Sequence, residues 1–330
     1  MKKRIIKLDS GIISAAAIVG KKEHDGPLGG HFDMYSDDDR FGCDTWESAE
    51  SEMQRRTFAL ALNKAGFAEN DIGVLFAGDL LNQCVGSSYG LLDFDVPYLG
   101  IYGACSNAAE GIMLASVMTS YSIYERAATV TSSHFCSAER QYRTPLEYGA
   151  QRTPTAQRTV TGAGAYIIGR KGKVRITEAL PGIVREKGIS DAANMGAAMA
   201  PAALDTLVRY FTESEKMPSD FDMILTGDLG REGGDILCDL ASTEGLDISK
   251  NYNDCGLMIY SSEPQDVHAG GSGCGCSACV IASYIIPKIE KRELRKVLFI
   301  GTGAMMSPSS VQQGLSIPAV AHLVCLCAEE

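Results

Sequence analysis

One apolar run occurs twice in this chain. Asp71-Ile72-Gly73-Val74-Leu75-Phe76-Ala77-Gly78-Asp79-Leu80 returns as Asp220-Phe221-Asp222-Met223-Ile224-Leu225-Thr226-Gly227-Asp228-Leu229, each copy closing on Gly-Asp-Leu. A displacement of roughly 150 residues is too long for a solenoid unit and fits two halves of similar fold. The surroundings repeat as well. Gly103-Ala104-Cys105-Ser106 leads into a small and apolar run to Ser116, and Gly271-Ser272-Gly273-Cys274-Gly275-Cys276 leads into Val280 to Ile286. Both read as tight glycine turns feeding buried helices, because Gly, Ala and Ser allow close backbone approach. A short apolar strand follows each helix, Ala127 to Ser133 and Lys296 to Thr302. A second apolar run ends each half, Ala163 to Ile168 and Ala319 to Cys327.

The remaining elements follow the same plan. Ile12 to Val19 reads as a strand, and Glu47 to Lys64 as an amphipathic helix with an acidic first turn and Gly66 just past its end. Its counterpart is Ala202 to Glu213, after the strand Val174 to Ala179. Strands alternating with helices, and two strands at the close, predict an α/β fold with a mostly parallel sheet covered by helices. The short basic turn Gly169 to Lys173 divides the chain into residues 1–170 and 171–330. No Pro/Ser-rich linker separates these halves, so they are expected to pack as one body.

Composition narrows the function. With 45% hydrophobic and 22% charged residues the 330-residue chain is ordinary globular material, able to bury a large core. A formal charge of −11 argues against nucleic acid and against broad adhesion to anionic lipid. No apolar stretch is long enough to span a bilayer, and Met1-Lys2-Lys3-Arg4 leads into no signal-like core. A soluble, intracellular protein is expected.

Of eleven cysteines, Cys105, Cys274, Cys276, Cys279, Cys325 and Cys327 lie in small or apolar runs, as buried thiols in a reducing compartment do. Cys274, Cys276 and Cys279 have spacing compatible with zinc, but no second Cys/His knuckle accompanies them, so no metal site is expected. Cys105 opens a helix after a glycine turn, where free N–H groups and the helix dipole lower a thiol pKa. A nucleophile and a structural thiol that fits the turn are equally served by that spacing.

A cysteine in Gly-Ala-Cys-Ser at the start of a buried helix, within a duplicated half, resembles the thiolase fold of thiolases and ketoacyl-carrier-protein synthases. Longer blocks resemble the stage V sporulation protein AD (SpoVAD) family. They include Lys22-Glu-His-Asp-Gly-Pro-Leu-Gly29, Leu75-Phe-Ala-Gly-Asp-Leu-Leu-Asn-Gln83, Ser132-Ser-His134, Ala138-Glu-Arg-Gln141, Met199-Ala-Pro-Ala-Ala203, Asn253-Asp-Cys-Gly-Leu257 and His268-Ala-Gly-Gly-Ser-Gly273. Residues 1 to 20 match poorly. The resemblance implies a five-layered thiolase-like fold of two pseudo-symmetric halves, and a homodimer. It further implies binding of dipicolinic acid (pyridine-2,6-dicarboxylate), together with the other SpoVA proteins at the spore inner membrane, to load that acid into the forespore, and a link to germination.

A planar aromatic dianion needs donors at both ends of a flat slot. Helix starts after Cys105 and at Gly271, Ser272 and Gly273 offer N–H groups. Arg140 and Arg143, among Arg152 and Arg158, offer guanidinium groups matched to carboxylates. Strand ends would add Asp79, Asn82, Ser133 and His134. An aspartate facing a dianion requires an arginine to orient or a cation, such as calcium carried with the ligand; no other cofactor is expected. Asp228, with Gly230 behind it, reads as a helix cap, whereas Asp79 stands open between cap and ligand contact. The competing reading is a thiolase-type acyl transferase with Cys105 as nucleophile. It needs a base and an oxyanion site, and only His268 and His322 stand in the second half, without a Gly-His-Pro block. The chain therefore reads as a binding module on an enzyme fold.

Overall fold

A computed structural model describes residues 4–142 and 152–329. The first half supplies strands β1 (Ile6–Gly20), β2 (Val74–Gly78), β3 (Tyr98–Gly100), β4 (Arg126–Ser133) and β5 (Gly162–Gly169). The second supplies β6 (Val174–Leu180), β7 (Met223–Thr226), β8 (Tyr252–Asp254), β9 (Lys296–Ala304) and β10 (Ala319–Ala328). They hydrogen-bond in the order β8-β7-β9-β10-β6-β1-β5-β4-β2-β3, with a short strand, Met34–Ser36, added to β1. Read outward from the middle, the order is the same both ways. The two Gly-Asp-Leu strands, β2 and β7, thus hold equivalent places. The seam is an antiparallel pairing of β1 with β6, Ile6 opposite Ala179 and Ile12 opposite Val174.

Alternation along the strands explains the layers, since successive side chains face opposite sides of a sheet. In β2, Val74 and Phe76 join the central core, while Leu75 and Ala77 join the cluster under helix α1 (Trp46–Ala65). In β9, Val297 and Phe299 face the centre, whereas Leu298 and Ile300 face outward. The centre holds helix α2 (Asn107–Ser120), followed along the chain by α3 (Phe135–Tyr142) beside β4. The outer face of the second sheet is covered by α4 (Met195–Ser214), which packs against α5 (Gly230–Thr243). Beside α2 in the centre runs α6 (Cys274–Val280), continued by a π turn, Ile281–Ile285, into Ile286–Glu290. The result is helix, sheet, helices, sheet, helices: five layers.

Local chemistry sets the element ends. Thr45 caps α1 by accepting the Ser48 N–H at 3.2 Å, and Gly66 ends it with φ of 71°. The small residues of α6 are there because it lies directly on β5. A Cβ on Gly275 would sit 2.2 Å from the Gly162 carbonyl oxygen. Helix α4 begins at Met195, ahead of the expected Ala202, because Asn194 accepts the Ala197 N–H at 3.3 Å and Pro201 is tolerated inside it.

Candidate functional site

The carboxyl ends of the strands surround a narrow cleft with the Cys105 turn on its wall. Its polar lining is Cys105, Ser272, Thr159, Glu139, Tyr102 and Tyr142; Leu80, Met195 and Met306 are among its apolar walls. The turn is tight: Ala104 takes the left-handed conformation, φ 52°, to place Cys105 ahead of α2. From the second half, the ribbon Gly271–Ser272 pairs with Arg158–Thr159 and brings Ser272 to the same place.

Opposite Cys105 stands a carboxyl group, not a histidine. The Cys105 Sγ lies 3.8 Å from Ser272 Oγ, whose hydroxyl donates to Asp228 Oδ2 at 2.7 Å. Asp228 also accepts from the Gly273 N–H at 3.0 Å and from the Thr302 hydroxyl at 2.8 Å. With its proton directed to Asp228, the Ser272 oxygen is left to accept from the thiol. Burial, then the Asp228 charge, push the Cys105 thiol well above its ordinary range. The expected lowering by the helix start is therefore reversed, because desolvation and a neighbouring carboxylate outweigh the dipole. Asp228→Asn should remove that charge and speed alkylation of Cys105 by iodoacetamide at pH 8, about tenfold for each pKa unit recovered. Peptide mass analysis of the Cys105 fragment reads it; an unchanged or slower rate would show that Asp228 does not govern the thiol.

The two repeated aspartates have different jobs. Asp79 accepts from the N–H groups of Leu81 at 2.9 Å and Ser87 at 2.7 Å and from the Ser87 hydroxyl at 2.7 Å, so it caps the turn after β2. Asp228 does not cap α5. Asp254 does, receiving the Leu229 and Gly230 N–H groups at 2.8 and 3.1 Å. The start of α6 is also occupied: Gly273 N–H binds Asp228, and Gly275 N–H binds Ser133 Oγ at 3.1 Å. These donors, expected to meet a ligand carboxylate, already serve the protein's own groups.

Of the residues singled out from sequence, Cys105 and Ser272 line the cleft. Arg140 does not: it pairs with Glu47 and its guanidinium lies 5.4 Å from the Trp46 ring. On α3 the cleft face is Ala138, Glu139 and Tyr142, and the helical step carries Arg140 off it. Arg143 lies outside the described residues. Asn82 exchanges hydrogen bonds with Gln141, and Ser133 donates to the Val160 carbonyl at 2.7 Å. His134 is buried, its Nε2 2.7 Å from the Asp39 carbonyl oxygen and its Nδ1 accepting the Cys136 N–H. Gly271 accepts from the Gln157 side chain at 3.1 Å. Neither second-half histidine lines the cleft. His268 Nε2 is 3.4 Å from exposed Asp266, and His322 Nδ1 accepts the Gly182 N–H while burial lowers its pKa to about 4. The groups missed were Glu139, Tyr102, Tyr142 and Thr159; the Ala138-Glu-Arg-Gln141 block held one signal, read at the wrong residue.

Comparison with known proteins fits this geometry. The Xanthomonas oryzae pv. oryzae 3-oxoacyl-(acyl carrier protein) synthase III, FabH, superposes with a TM-score of 0.59 at 15% identity, over 96% of this chain and 99% of that one. Xanthomonas campestris OleA superposes with a TM-score of 0.56 at 14% identity, over 98% of both. These likenesses establish a thiolase-like fold. In sequence, the chain is 42% identical over 310 residues to stage V sporulation protein AD of Bacillus subtilis (strain 168), covering 94% of this chain and 91% of that protein. The family model for Stage V sporulation protein AD (SpoVAD) matches residues 2–327. The chain belongs to the SpoVAD family of sporulation proteins.

Proposed function

We propose that the Cys105 cleft binds dipicolinate without transforming it, and that the protein acts with the other SpoVA proteins to load dipicolinate into the developing spore. The observation that carries this reading is Asp228 at the thiol. An acyl transferase needs an imidazole-type base to draw the cysteine proton and donors for an oxyanion, whereas here no histidine among the described residues reaches the thiol, burial and the Asp228 charge disfavour its thiolate, and Asp228 takes up the nearby N–H. Membership in a sporulation family supports the same reading. The cleft chemistry suits a flat aromatic acid: apolar walls at Leu80 and Met306, and hydroxyls of Tyr102 and Tyr142 3.0 Å apart at one side. Glu139 in the wall is paired with Arg152 at 2.8 Å, which limits its repulsion of a dianion. Its oxygen also favours ligand that arrives chelated to calcium, a cation that takes oxygen donors.

Calorimetric titration with dipicolinate, with and without calcium, tests the reading, alongside acyl-CoA and intact-mass analysis. Dipicolinate is expected to bind, and pyridine-2-carboxylate, which lacks one carboxylate for the cleft hydroxyls or a chelated cation, to bind more weakly, by about 1–3 kcal/mol for one lost charged hydrogen bond. Cys105→Ser should keep most of the affinity. A thioester on Cys105 with turnover would establish the acyl transferase instead, and binding of neither ligand would remove the cleft from both roles.

A further inference from the structure

In this acidic protein, half-buried cations are met by acids. Lys216 reaches Glu178 at 2.6 Å, and Arg209 reaches Asp205 at 2.8 Å. Arg158 and Lys22 break the pattern, as Lys296 over the Phe221 ring also does. Both are drawn partly out of solvent, and neither has an ion-pair partner among the described residues. The Arg158 guanidinium lies 3.7 Å from the centre of the Phe135 ring, and its Nε is buried with no hydrogen-bond partner. Arg152, already bound to Glu139, lies 5.4 Å from the same ring. Lys22 belongs to the segment that docks on residues 158–161, where the Gly20 N–H donates to the Thr161 carbonyl at 2.9 Å and Glu23 accepts the Thr161 N–H at 3.0 Å.

Cations brought together and desolvated without a counter-charge are costly. Two acids lie near and offset them only in part: Asp266, which draws on Lys22 from an exposed position, and Glu23. Glu23 is fully buried, and burial raises its pKa toward the neutral form although Tyr260 and Thr161 donate to it. Burial, then the Arg158 charge, lower the pKa of Lys22. A stacked guanidinium without an ion-pair partner, and an ammonium close enough to feel its charge, make an arrangement that receives an oxyanion. Thr159 faces the cleft, so its neighbour Arg158, on an extended segment, faces the other side of the ribbon.

We infer that Lys22 and Arg158, flanked by Arg152, form a binding site, apart from the Cys105 cleft, for the phosphate or carboxylate group of a small dianion. The test compares the whole protein with its Arg158→Gln, Arg158→Lys and Lys22→Gln variants. Each is titrated and thermally unfolded in sodium phosphate, in dipicolinate, and in chloride of matched ionic strength. Phosphate or dipicolinate is expected to raise Tm above chloride. Arg158→Gln should lose at least about tenfold in affinity, as expected for a charge-assisted contact, with Arg158→Lys keeping part of it. In chloride, Arg158→Gln should melt no lower than the parent, because it removes an uncompensated charge. If Arg158→Gln abolishes phosphate binding but leaves a dipicolinate isotherm, the site takes phosphate and the cleft reading stands by itself. If it removes part of the dipicolinate isotherm, the site takes carboxylate. Equal behaviour in phosphate, dipicolinate and chloride overturns the inference, as does a lower chloride Tm for Arg158→Gln, which would mark a structural cation.

Discussion

Replacing Glu50 with glutamine is expected to stabilise the protein strongly above pH 8 and to leave it nearly unchanged near pH 4. Glu50 sits on α1, fully buried, where its two oxygens accept from the Ser132 hydroxyl at 3.1 Å and the Ser137 hydroxyl at 2.7 Å. Burial first, and the Asp79 charge second, raise its pKa from 4.5 to about 8. A folded-state pKa above the unfolded value means that the native state binds the proton more tightly. The resulting stability is complete below about pH 4.5 and is lost as pH rises through 8. At about 1.4 kcal/mol per pKa unit, the loss is at most about 5 kcal/mol. Glutamine keeps the shape and cannot ionise. Urea midpoints from pH 4 to 9 should diverge between parent and variant as pH rises; parallel curves would show that Glu50 does not titrate this way. Ser137 lies on α3, one residue before the cleft wall at Ala138 and Glu139, so ligand affinity should weaken over the same interval in the parent.

Glu178 should produce the opposite pH dependence. It lies on β6 at the seam, paired with Lys7 of β1 and with Lys216 at 2.6 Å, and the Tyr210 hydroxyl donates to it. Burial alone would raise its pKa, but the bonds from Lys216, Lys7 and Tyr210 prevail and hold it at about 2. A depressed carboxylate stabilises the fold above its unfolded pKa, near 4.5, and that stability is lost as pH falls toward 2. Glu178→Ala should cost about 3–5 kcal/mol at neutral pH, since Lys216 and Tyr210 are left facing an empty place. Glu178→Gln should cost less and flatten the acid limb of the stability curve. Chemical denaturation at pH 7 and pH 3 measures both; a loss under about 1 kcal/mol at pH 7 would reduce the cluster to an ordinary surface pair.

The skeleton of the fold was readable because it rests on patterns that repeat, but the sheet expected to be mostly parallel is mixed, antiparallel from β4 through β5, β1, β6 and β10 to β9 and parallel toward its ends. Alternating apolar residues in Val74 to Gly78 and Val297 to Ile300 are recognisable strands, and Gly66 ends α1 where the sequence predicts. The duplicated Gly-Asp-Leu located two equivalent strand ends. It could not say which aspartate does what, because the acceptor for the α5 start, Asp254, comes from a strand 25 residues from Leu229. Cys105 was legible from its turn, but its chemistry depends on Asp228 across the interface of the halves, and no local spacing reports that. Arg140 was chosen by charge and placed by helical phase, and one position of phase separates it from Glu139. Arg158 stands in sequence as one of four arginines; that it lacks a direct ion-pair partner among the described residues is visible only once Phe135 and Lys22 are placed beside it.

The seam also dictates an order of events during synthesis. Strand β1 precedes both of its long partners, for Ile12 pairs with Ile168 of β5 on one side and with Val174 of β6 on the other. At about 5–20 residues per second the ribosome takes roughly ten to thirty seconds to bridge that distance. Through that interval a 15-residue, largely apolar strand has only the three residues Met34–Ser36 to pair with. Contacts this distant in sequence form slowly. The nascent first half is therefore expected to be the aggregation-prone, chaperone-dependent state of this protein, relieved when Val174 to Leu180 emerges and the two sheets become one.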